Sequence, residues 1–126
     1  MLEKTVAELS KALHLREVSS VELTRAYLQK IATVNEKLNT YITICDEFAL
    51  AQAEKADQRI SSGDQNPLVG IPLAHKDIFC AKGIKTTCGS KMLENFVSPY
   101  DATIVTKLNK AGTVTLGKTN MDEFAM

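Results

Sequence analysis

Hydrophobic positions step at helical intervals through roughly the first 60 residues and lose that period after a turn-rich stretch at 61–67. Thr5 and Glu8 form a capping-box spacing, in which the Thr hydroxyl takes an orphan helix N–H and the Glu reaches back. With Val6, Leu9 and Leu13 on one face they predict a short first helix. Ser19 and Glu22 repeat the box, and Leu23, Tyr27, Ile31, Val34 and Leu38 then step by 4, 4, 3 and 4, which predicts a long helix to about residue 37. Its other face, Glu22, Arg25, Gln29, Lys30, Glu36 and Lys37, reads as a solvated surface. Tyr41, Ile42, Thr43 and Ile44 make a β-branched run and predict a strand. Asp46 follows as the expected cap of a third helix whose inward positions, Ala49, Ala53, Ala56 and Ile60, are mostly small.

Beyond the loop at 61–67 the character changes to strand-like. A dense apolar run from Leu68 to Phe79 is broken by Gly70, Pro72 and the polar trio His75, Lys76 and Asp77. Asp101 is the expected N-cap of a fourth helix with Ile104, Val105 and Leu108 on one face and Gly112 at its stop, and Thr113 to Leu116 read as a strand. A helix passing at once into a strand is an α/β arrangement. The expected fold is about four helices and three or four strands, with helices flanking a mixed sheet. Residues 1–65 are mainly helical and 66–126 supply the first core strands, all within one incomplete domain.

Composition narrows the function. The 126 residues carry 15 Lys plus Arg against 15 Asp plus Glu, with eight basic and nine acidic side chains before residue 64 and seven and six from residue 64 onward. Neither half offers the basic surface that direct phosphate-backbone binding needs. No apolar run reaches the roughly 18 residues of a membrane span, and the N-terminus has no signal-like apolar core, so a cytoplasmic chain with no membrane contact is expected. Cys45, Cys80 and Cys88 are odd in number, lack a C-x-x-C pair and read as reduced thiols. His14 and His75 stand far apart without ligand spacing, so no metal site is expected.

Residues Gly112 to Thr119 satisfy the phosphate-loop pattern G-x-x-x-x-G-K-[ST] letter for letter. A phosphate loop follows a strand and opens a helix, leaving backbone N–H groups free for phosphate. Here a helix precedes Gly112 and the variable positions are strand formers, so the match reads as coincidence.

Lys76 is the more unusual residue, because it lies in a run where a strand is normally buried. An apolar setting disfavours the ammonium form and makes the amine a usable base near neutral pH; guarding a sheet edge or pairing with a carboxylate is the structural alternative. His75 and Asp77 alternate onto the opposite face, which argues against a three-residue relay and for a hydrogen-bonded strand histidine and a structural carboxylate. Thr86, Thr87, Cys88, Gly89 and Ser90 form a small, polar loop that lets another backbone approach, and Cys88 reads as a packed thiol.

Taken together, Val69 through Asp77, Thr86 through Ser90, Asp101-Ala102-Thr103, and Ala111-Gly112 through Gly117-Lys-Thr-Asn-Met-Asp-Glu-Phe-Ala-Met126 resemble the opening of the amidase-signature family. Within it they are most similar to the glutaminase subunits of amidotransferases acting on glutamyl-tRNA(Gln) and aspartyl-tRNA(Asn). The resemblance implies a Ser-cisSer-Lys triad, with Lys76 as the base toward a bridging serine that relays a proton from the nucleophile. Both serines are expected beyond Met126, so that these residues are an N-terminal part, inactive alone. Phe124, Ala125 and Met126 are expected at the entrance to the acyl pocket. The resemblance further implies glutamine as substrate, two other subunits in a heterotrimer, tRNA reached through one of those partners, and ATP and Mg used by that partner with no cofactor in this chain. A different amidase-signature amide hydrolase, or a purely structural assembly module, are the alternatives.

Overall fold

A computed structural model describes residues 1–126. Four α-helices, α1 (Val6–His14), α2 (Ser20–Leu38), α3 (Asp46–Ser61) and α4 (Thr103–Ala111), surround three strands, β1 (Tyr41–Ile44), β2 (Pro72–Lys76) and β3 (Val114–Thr119). Short 3-10 turns occupy Lys91–Leu93 and Glu123–Ala125.

Both capping boxes form. Thr5 N–H donates to Glu8 at 2.7 Å and Glu8 N–H to Thr5 Oγ1 at 3.3 Å, and the Ser19 and Glu22 pair does the same at 2.9 and 3.0 Å. A second anchor holds the start of α2 from a distance: the Asp57 carboxylate on α3 accepts from Ser20 N–H at 2.6 Å and Val21 N–H at 3.1 Å. The other two helix starts differ from expectation. Cys45 occupies the N-cap position of α3 and Asp46 is its first residue, a favourable place for negative charge at a helix dipole. Ala102 caps α4 without a side-chain bond, because the Asp101 carboxylate is turned outward to accept from Lys82 N–H at 2.6 Å.

The small positions of α3 do what their size allows. Ala49, Ala53 and Ala56 are buried within 1% of full closure, and α3 lies close against α2 and β3. One apolar cluster joins Leu9, Leu13, Leu23, Ala56, Ile60, Val69 and Ile71 beneath α1, α2 and α3. A second joins Ile31, Ala49 and Ala53 to Val114 and Leu116 of β3. A third, smaller one packs Cys45, Ala81, Ile84 and Val105 under α4. Leu38 ends the long stripe but is 66% exposed; Asn39 turns left-handed there and the chain departs for β1.

The sheet has the order β1-β3-β2, antiparallel between β1 and β3 and parallel between β2 and β3. β3 is therefore the central strand, and all but its last residue are buried. Residues 77–113 carry the crossover from β2 to β3, with α4 at its end. Gly112 ends α4 at φ +90°, a left-handed conformation natural to glycine, and the next residues pass into β3.

Candidate active site at the end of the parallel strands

β2 delivers His75, Lys76 and then Asp77 to the C-terminal end of the parallel pair, and strand alternation separates them as expected. His75 and Asp77 are buried, at 4% and 0% exposure. Lys76 points the other way and is exposed among these 126 residues. The covered face of β2 at this end is the one carrying His75 and Asp77. His75 is not the hydrogen-bonded histidine expected. Its Nε2 is buried without a partner, and burial, aided by the positive charge of Lys118, holds its pKa below the ordinary range.

The buried lysine of this chain is Lys118. Its ammonium lies 3.1 Å from Asp77 Oδ1, both side chains being wholly inaccessible, and donates to Thr86 Oγ1 at 3.1 Å and to the Lys85 carbonyl at 3.5 Å. The other Asp77 oxygen accepts from Thr87 N–H at 3.0 Å and from the Thr87 hydroxyl. The Asp77 main chain is tied as well, donating to Thr119 O at 3.1 Å and accepting from Cys88 N–H at 3.0 Å. Such an ion pair is tolerable in the interior only because these further bonds occupy the remaining donors and acceptors. Sequence reasoning misses the pair because its partners stand 41 residues apart. A signal is nonetheless present: the argument that a lysine inside a strand-forming run is buried applies to Lys118.

The loop at 86–90 is thereby locked to the strand ends. Cys88 and Gly89 take φ of +51° and +67°, and Phe124 and Ala125 take +53° and +59°. Phe124 N–H donates to Cys88 O at 2.9 Å, so these left-handed residues are in direct contact. Left-handed non-glycine backbone costs about 1 kcal/mol per residue and concentrates at functional sites. Phe124 is 40% exposed, Ala125 is exposed and Met126 is 98% exposed, so the three residues expected at an acyl pocket lie on the surface beside this loop. A cleft of about 270 Å³ opens on the loop's far side, between Ile42 and Thr43 of β1 and Lys85, Thr87, Gly89 and Lys91, and Lys76 does not line it. Ser90 and Ser98 are buried and hydrogen-bonded locally, Ser90 to Met92 N–H and Ser98 to the Tyr100 carbonyl.

The phosphate-loop letters are absorbed by structure. Gly112 is a helix stop, residues 114–117 are sheet, and Lys118 faces a carboxylate instead of open space. No group of three or more His, Cys, Asp or Glu side chains is placed to hold a metal ion, and no helix is long and apolar enough to cross a membrane.

The segment from α2 onward matches a known family model: residues 22–126 fit that of the Amidase family. The chain belongs to the Amidase family. Among Amidase relatives, it is 60% identical over all 126 residues to the A-subunit of glutamyl-tRNA(Gln) amidotransferase from Methylobacillus flagellatus and 58% identical to that of Coxiella burnetii, strain Dugway 5J108-111. It spans 26% of the length of either protein. Its fold matches the native peptide amidase of Stenotrophomonas maltophilia with a TM-score of 0.90 at 38% identity, covering 97% of this chain and 26% of that one. An amidase family protein of Bacillus anthracis gives 0.88 at 34% identity, covering 96% and 25%. The mixed α/β arrangement of helices around a small sheet is thus an amidase arrangement.

Proposed function

We propose that these residues form the lysine-bearing part of a glutamine-hydrolysing subunit that supplies ammonia for amidating glutamyl-tRNA(Gln). What carries this reading is 60% identity over the whole chain to the A-subunit of a glutamyl-tRNA(Gln) amidotransferase, against 31–39% for several solved structures of other description. That difference favours the amidotransferase over an amidase acting on other amides.

In the proposed chemistry, neutral Lys76 accepts a proton from a bridging serine, which takes one from a nucleophilic serine. That oxygen attacks the carboxamide carbon of glutamine, the C–N bond breaks, and ammonia leaves with the returned proton. Water then releases glutamate from the acyl-enzyme. The two serines lie in the remaining length of the enzyme, and the exposed face around Lys76 is where that length would approach and desolvate the amine. Phe124, Ala125 and Met126 would border the acyl pocket. Two further subunits, one of them using ATP and Mg and holding the tRNA in the cytoplasm, would complete the reaction, and this chain's share needs no cofactor.

Lys76→Ala in the complete complex tests the reading. Glutamine-dependent amidation is expected to fall by at least about 10³-fold, while amidation supplied with free ammonium persists. Retention of glutaminase activity would refute it.

A further inference from the structure

Asp77 is peptide-bonded to Lys76, and every polar group it owns is engaged. Its N–H donates to Thr119 O at 3.1 Å, its carbonyl accepts from Cys88 N–H at 3.0 Å, and its carboxylate joins Lys118 at 3.1 Å and Thr87 N–H at 3.0 Å. The Lys76 carbonyl in turn accepts from Phe79 N–H at 3.0 Å. The backbone that carries the Lys76 side chain is therefore fixed on both sides, and its fixation runs through a buried ion pair reaching from β3 to the 86–90 loop.

An apolar pair of similar volume is often as stable as a buried ion pair, or more so. What the charges add is direction: the Lys118 ammonium and the N–H and hydroxyl of Thr87 converge on one carboxylate and admit a single arrangement of three separate segments. Lys76 ends β2 with its side chain exposed while Asp77, the residue after it, is buried, so an anchored Asp77 sets the point from which Lys76 projects. Displacements near 1 Å at a catalytic group cost about 10²-fold in rate.

On this basis we infer that Asp77 and Lys118 are positioning residues for the general base, an ion pair that aims Lys76 from the opposite face of β2. The inference rests on the reading of Lys76 as the base. Neither residue touches substrate. Their loss lowers turnover without weakening glutamine binding, and because they act as a unit, removing both is no worse than removing one.

The experiment compares Lys76→Ala, Asp77→Asn, Lys118→Met and the double variant Asp77→Asn with Lys118→Met, each in the complete assembled enzyme. Rates are expressed per assembled complex. Expected is a kcat lowered about 10²-fold in Asp77→Asn and Lys118→Met, with KM for glutamine within threefold of the parent, and no further loss in the double variant. A kcat per assembled complex within threefold of the parent in either single variant would overturn the inference. Should those variants fail to assemble, Thr87→Val, which removes one hydroxyl from the carboxylate and leaves the ion pair, must still lower kcat at unchanged KM, and an unaltered kcat there overturns the inference equally. An active Lys76→Ala enzyme would bring down the underlying reading, whereas an inactive one beside fully active Asp77 and Lys118 variants would bring down the positioning role alone.

Discussion

Gly117 of β3 and Thr43 of β1 meet backbone to backbone. A Cβ built on Gly117 would overlap the Thr43 carbonyl oxygen and stand 3.0 Å from the Tyr41 ring. Both neighbours of β3 slip register here, β1 between Tyr41 and Thr43 and β2 between Leu73 and Ala74, so the glycine sits where the sheet bends on both sides. Gly117→Ala would need the two backbones to part. A loss of about 2–3 kcal/mol is expected, read as a lowered denaturation midpoint at unchanged m-value, and a neutral result would show that β1 can move away freely.

That glycine and the lysine after it mark the limit of local reading. The letters of a phosphate loop are present at 112–119, and the sequence argument against one, a preceding helix and strand-forming interior, holds in the fold. Why those letters are there is not legible locally, since Gly117 answers to Thr43 and Lys118 to Asp77, both far away in the chain. Capping boxes and the alanine stripe of α3 are local patterns, and the fold reproduces them. Asp101 has the spacing of a cap but does not act as one, because its partner is Lys82 N–H, 19 residues upstream. For Lys76 the run of apolar neighbours predicts burial; among these 126 residues its face of β2 is uncovered, and what packs on a strand face is not contained in periodicity.

The ion pair makes a stability prediction distinct from its catalytic one. Lys118→Met alone leaves the Asp77 carboxylate buried among donors that no longer balance it, and Asp77→Asn strands the ammonium. Each is expected to cost about 3–5 kcal/mol. The double variant Asp77→Leu with Lys118→Met replaces both charges by apolar volume and is expected to recover much of that loss in the same denaturant titration. A double variant as unstable as the sum of the singles would mean that Thr86 and Thr87, not the charge pair, dominate the site.

Asp57 offers a test of long-range capping. Its two oxygens hold the first N–H groups of α2 while Ser19 and Glu22 hold the rest, so two independent devices secure one helix start. Asp57→Ala and Ser19→Ala are each expected to cost about 1–2 kcal/mol in equilibrium unfolding. Being close, they should combine by more than addition if the two caps back each other up. Additive losses would instead mean that each N–H is satisfied separately.

His75 sets the pH dependence near neutrality. Burial first, and then the charge of Lys118, disfavour its imidazolium, with Asp101 opposing them, so its pKa in the folded chain lies below the unfolded value near 6.5. The unfolded chain therefore binds this proton more readily than the folded one. Stability is complete above the unfolded value and is lost as pH falls through it toward the lowered folded value, with a slope of up to about 1.4 kcal/mol per pH unit. Glu8, Glu22 and Asp64 act in a separate window: their carboxyls are held below the ordinary range, chiefly by backbone N–H groups of Thr5, Ser19 and Asn66, so their contribution is present above ordinary carboxylate values and fades only in stronger acid. Denaturation midpoints taken from pH 8 to 5.5 should fall for the parent chain and stay level for His75→Gln, which keeps a polar group but cannot gain the charge. A parent profile level across that range would show that the imidazolium is accommodated in the fold, most directly by water reaching the unpartnered Nε2.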